Sequence, residues 1–98
     1  MPDEGRVLLE GLAFPEGPRW HEGRLWFSDM HALTVVAVDE RGNRQDIVRV
    51  ENCPSGLGWL PDGRLLVVSM NDRRLLVGRI RLGQVFDKPV HRLKVVEL

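Results

Sequence analysis

An internal repeat of about 40 residues constrains this chain more than any other feature. A shift of 39 lays Leu8-Leu9 over Ile47-Val48, Phe14-Pro15-Glu16-Gly17 over Cys53-Pro54-Ser55-Gly56, and Trp20 over Trp59. Asp62 then adds one residue, and the register becomes 40. Gly23-Arg24-Leu25 falls on Gly63-Arg64-Leu65, Ser28 on Val68, Met30 on Met70, and Val35-Val36 on Leu75-Leu76. Pro, Gly and Trp are uncommon residues, so their coincidence in one register marks a duplicated unit. A period of ~40 residues suits a four-stranded propeller blade or an α-solenoid unit, and local chemistry separates the two.

The local chemistry is that of strands. Arg24 to Ser28 and Arg64 to Ser69 are β-rich runs, entered through the turns Glu22-Gly23 and Pro61-Asp62-Gly63. Leu33 to Val38 is rich in β-branched residues, and the turn cluster Asp39 to Asn43 follows it. Arg44 to Val50 alternates as an outer strand with one wet face would. Ten glycines and six prolines break the chain too often for long helices. The expected strands are an outer Arg6–Leu9, then Pro18–Trp20, Arg24–Ser28, Leu33–Val38 and an outer Arg44–Val50. Leu57–Leu60, Arg64–Ser69 and Arg74–Ile80 follow, and the tail holds Val85-Phe86 and Leu93–Val96 as material for one more outer strand. The 98 residues thus read as one all-β unit, with repeats over 8–46 and 47–80 and a divergent tail over 81–98.

Composition narrows the partners. Fourteen Lys and Arg cancel fourteen Asp and Glu, so no net field draws the chain to nucleic acid or to an acidic membrane surface. The basic C-terminal third alternates with apolar residues and lacks interleaved aromatics, as strand faces do and base-stacking grooves do not. The longest apolar run, Leu33 to Val38, falls far short of the ~20 residues that span a bilayer. Met1-Pro2-Asp3-Glu4 is no signal-peptide start, so the expected location is the cytoplasm. The single Cys53 excludes an internal disulfide and reads as a small core residue. His21 and His31 have no neighbouring Cys or third His to make a zinc site. Trp20 and Trp59, equivalent in the repeat, both read as packing between blades.

Phe14-Pro15-Glu16-Gly17-Pro18-Arg19-Trp20, followed by Gly23 to Met30, resembles the senescence marker protein/gluconolactonase/luciferin-regenerating enzyme family. Pro54 to Trp59 and Asp62 to Leu65 look like the next blade of bacterial members, so the likeness runs from about Leu8 to Leu76. The resemblance implies a partial β-propeller: about two four-stranded antiparallel blades of a six-bladed parent fold. It implies a hydrolase of sugar lactones and related esters, using a divalent metal (Ca²⁺, Zn²⁺, Mn²⁺ or Mg²⁺) in the central channel. Its E-G-P glutamate is a metal ligand, matched here by Glu16. The family's other ligands and its acid/base groups belong to later blades, and after Leu76 the sequence departs from the pattern.

Strand geometry adds candidates of its own. In a meander, alternate connections emerge on one face, which groups Glu16 and Ser55 with His31 and Asn71-Asp72 as rim residues. Oxygen-rich sites of this kind suit hard cations. Asp29 ends a strand and is expected to cap the turn after it. A Ser-His-Asp triad is not indicated, because no G-x-S-x-G is present. The expectation is a lactonase-type chain incomplete by itself, or else a non-catalytic propeller piece that self-associates. Two blades with two open faces suggest that three copies supply a ring of six.

Overall fold

The computed structural model describes residues 15–81 and 93–96, with the backbone alone at Pro15, Glu16 and Val96. The strands are β1 (Pro15–His21), β2 (Arg24–Asp29), β3 (Thr34–Asp39), β4 (Arg44–Arg49), β5 (Pro54–Trp59), β6 (Leu65–Ser69), β7 (Arg74–Gly78) and β8 (Lys94–Val96). They form two four-stranded antiparallel meanders, β1-β2-β3-β4 and β5-β6-β7-β8. β1 to β4 and β5 to β7 run in chain order because short hairpins can join antiparallel neighbours, while residues 79–93 separate β7 from β8. The sheets are cut out of phase with the 8–46 and 47–80 blocks: β4 crosses that boundary and closes the first sheet. The tail strand at Leu93–Val96 forms as β8 and pairs with β7. The expected strand Arg6–Leu9 and the Val85-Phe86 segment lie outside the described residues. No helix among the described residues is long and apolar enough to cross a membrane.

Alternation sorts each strand onto two faces. On the first sheet Trp26, Val35 and Ala37 point at the second sheet, where Leu57, Leu65 and Val67 meet them in one core. A bulge between Val35 and Val36 turns adjacent Ile47 and Val48 of β4 into that same core. Phe27, Val36 and Val38 form a smaller cluster on the opposite face, with Leu25 packed against it. Trp59 packs into the shared core as expected, stacked on His21 with centroids 3.8 Å apart and edge-on to Trp26 at 5.4 Å. Trp20 does not: it is 57% exposed. Trp59 has the first sheet in front of it to supply His21 and Trp26, and no described strand stands in that relation to Trp20.

The turns show how the hairpins close. Glu22 and Gly23 both take positive φ (49° and 74°) in the two-residue loop between His21 and Arg24, the twist a tight hairpin needs. The four-residue loops after β2 and β6 end on Leu33 and Arg73, both at φ 56°. At the far end of the first sheet, Asp39 caps the 40–43 turn. Its carboxylate accepts the backbone N–H of Arg41 and Asn43 (2.9 Å each) and the Asn43 side-chain amide (3.0 Å). The bonds from Asn43, side chain first, hold its carboxyl below the ordinary 3.8.

A depressed carboxylate contributes stability that is complete above its unfolded value and lost as the pH falls through its folded one. Urea midpoints of wild type and Asp39→Ala are therefore expected to differ near about pH 6. They should draw together as the pH drops below 3.8. A gap that stays constant into acid would mean that the carboxylate's charge plays no part in the turn.

Candidate functional site at one end of the two sheets

Register places the candidates. β1 and β5 begin, β2, β4 and β6 end, and β3 and β7 begin at the same end of the molecule. Glu16, Ser55 and the loops 30–33, 50–53 and 70–73 therefore share that end. Glu16 stands opposite Ser28 on β1, while its side chain lies outside the described residues.

The two innermost strands are irregular at matching places. β1 has a bulge between Glu16 and Arg19, and β5 has one between Pro54 and Leu57. Such bulges re-aim side chains at the ends of sheets. The strands approach closely there. A Cβ on Gly17 would lie 3.2 Å from the Ser55 carbonyl oxygen, and Gly17 sits at φ +62°. The fully buried Ser28 hydroxyl donates to that same carbonyl at 2.7 Å, tying the sheets together beside Glu16. This bond escapes sequence reading, since Ser28 aligns with Val68 in the repeat and carries no motif.

Asn71 and Asp72 form a second group, nearer the outer strands. The 70–73 loop is bonded to the 50–53 crossover through Met70 N–H to Cys53 C=O (2.8 Å) and Asn71 N–H to Asn52 C=O (2.9 Å). Cys53 is buried, as expected of a small core residue, at φ 75°. The Asp72 carboxylate accepts the Asn52 amide at 3.1 Å and lies 3.8 Å from the Arg74 guanidinium. Its other oxygen is buried without a hydrogen-bond partner. Asn52, Asp72 and Arg74, with Arg49, Glu51 and Ser69, line a groove of about 350 Å³ together with Val48, Val50, Leu76, Leu93 and Val95. Arg49 is paired with Glu51 at 2.9 Å, so charges of both signs balance along the rim.

The structure thus brings Glu16 beside Ser55, and Asn71-Asp72 beside Asn52, but of the predicted site residues only Asp72 lines the groove; Glu16, Ser55, His31 and Asn71 do not. His31 is exposed in its loop. Asp29 is 2% exposed and accepts the Ala32 N–H at 3.3 Å, capping its turn as expected. Among the described residues, no three of His, Cys, Asp and Glu gather into a group that could hold a metal ion. The described residues therefore do not by themselves fit a divalent cation with a full protein ligand set.

No curated protein and no solved structure matches the chain. A family model does: the SMP-30/Gluconolactonase/LRE-like region covers residues 14–94. That span takes in the E-G-P bulge, its counterpart on β5 and the strands β1 to β7, ending at the first residue of β8. The chain belongs to the SMP-30/gluconolactonase/LRE-like family, whose members are β-propellers.

Proposed function

We propose that this chain forms the first two blades of a six-bladed, gluconolactonase-like hydrolase of sugar lactones or related esters, and does not complete the reaction alone. The observation that carries this reading is the pair of bulged inner strands. They bring the Glu16 backbone and Ser55 to one end, in a chain whose family match covers both. In this reading Glu16 is one metal-ligating carboxylate of a site completed by residues beyond those described. Ser55, His31, Asn71 and Asp72 stand at the rim, where a small lactone enters. The partner is a small molecule, and a cytoplasmic setting suits it. No step of the hydrolysis is assigned to the described residues, because they gather neither a ligand set nor an acid/base pair.

A pH-stat assay with a sugar lactone and Ca²⁺, Zn²⁺ or Mn²⁺ tests the reading. The 98-residue chain is expected to give no metal-dependent rate above the blank. It should restore one when mixed with the later blades of a family member, and Glu16→Gln should remove that restored rate. A metal-dependent rate from the chain alone would show a complete site. No rate from any mixture would favour a non-catalytic role.

A further inference from the structure

One buried hydroxyl joins two irregular strands at the end of the molecule that carries Glu16 and Ser55. Ser55 lies inside the β5 bulge, between the paired residues Pro54 and Leu57, and has no partner on β6 in the strand register. A bulge leaves its extra residue out of the ladder, so the Ser55 carbonyl takes its hydrogen bond from elsewhere. The Ser28 hydroxyl donates to it at 2.7 Å from the other sheet. Ser28 is itself the register partner of Glu16, the residue at which the β1 bulge begins. A Cβ on Gly17, the next residue, would stand 3.2 Å from the same oxygen and 3.7 Å from the Gly56 Cα. The two bulges therefore lie against each other at this one carbonyl.

We propose that Ser28 is a positioning residue: its hydroxyl holds the β5 bulge against the β1 bulge and thereby sets the spacing of the Glu16 backbone and Ser55. The proposal rests on the reading of this end as the rim where a lactone enters, and it names the group that fixes the rim's geometry. Packing alone does not call for a hydroxyl there. Ser28 is 0% exposed, and burying a hydroxyl costs free energy unless it is bonded, whereas an apolar side chain in its place would carry no such cost. Apolar contact is also non-directional and lets sheets slide, while a hydrogen bond of 2.7 Å fixes distance and angle. The repeat as such does not require the hydroxyl either, since the second copy carries Val68 at the equivalent position. Ser28 thus occurs in the copy that carries Glu16, and not in the copy that carries Ser55 in its place.

Amide hydrogen exchange in the 98-residue chain, read by NMR, compares Ser28→Ala with wild type. Exchange at Gly17 and Gly56 should quicken by about fivefold or more, while Leu66 and Val77 in the middle of the second sheet keep their rates. Mixed with the later blades of a family member, the variant should lose roughly ten- to hundredfold in kcat for a sugar lactone with KM little changed, because misplacement of groups at the site is felt in the transition state. Ser28→Thr, which keeps the hydroxyl, should restore both readouts. If Ser28→Ala fails to fold, Ser28→Cys keeps the size with a weaker donor and should show the same changes to a smaller extent. Unchanged exchange at both glycines, exchange that quickens equally across the second sheet, faster exchange with kcat intact, or a Thr variant no better than Ala would each overturn the proposal. No rate from the wild-type mixture would instead sink the lactone reading, and the exchange result would still decide whether Ser28 holds the two bulges.

Discussion

Trp26→Ala is expected to cost about 3–5 kcal/mol, the usual range for removing a large buried aromatic side chain. The indole is 1% exposed at the centre of the core shared by the two sheets. Its N–H donates to the His21 carbonyl at 3.0 Å, and its ring stands edge-on to both His21 (6.0 Å) and Trp59 (5.4 Å). Truncation leaves a cavity, frees the carbonyl of its donor and loosens the His21–Trp59 stack. A domain of this size has only about 5–15 kcal/mol in hand, so the variant should unfold at much lower urea. Trp20→Ala provides the contrast. At 57% exposure it is expected to change stability by about 0.5 kcal/mol or less. Equal losses for the two variants would mean that Trp20 is as much a packing residue as its place in the repeat suggests.

Gly17→Val is expected to cost about 2–4 kcal/mol, from two causes that can be separated. Gly17 holds φ +62°, where an L-residue loses about 1–2 kcal/mol and a β-branched one more. The added Cβ would also stand 3.2 Å from the Ser55 carbonyl oxygen, which already receives the Ser28 hydroxyl. That neighbour is backbone in a bulged strand, so it yields only by shifting β5. Gly23→Ala isolates the first cause, since Gly23 has φ +74° and a Cβ there would meet nothing within 4 Å. Gly17→Ala should therefore lose more than Gly23→Ala in matched urea titrations. Equal losses would show that the close approach of β1 to β5 carries no energy of its own.

Some of the candidate site is legible in the sequence. The shift of 39–40 residues locates both hairpin systems, and strand alternation places Glu16, Ser55, His31, Asn71 and Asp72 at one end. What stays hidden has a common cause. Ser28 gives no local signal that its hydroxyl reaches the Ser55 carbonyl 27 residues away. Leu33 and Arg73 take the same left-handed conformation at matching positions, although neither residue type announces it. Asn52 enters no motif, yet it ties the 70–73 loop to the crossover through its backbone carbonyl and its side-chain amide.

The sequence by itself determined that this chain is a duplicated all-β unit, because pleat and turn requirements are local and recur wherever the same geometry recurs. It also determined the family, through the E-G-P element and its counterpart. Only the tertiary structure decided that Trp59 is clamped by His21 and Trp26 while Trp20 stands exposed. Equivalent positions in a repeat share a backbone, but burial depends on what lies in front of each face. That is a property of the stacked sheets and not of either copy.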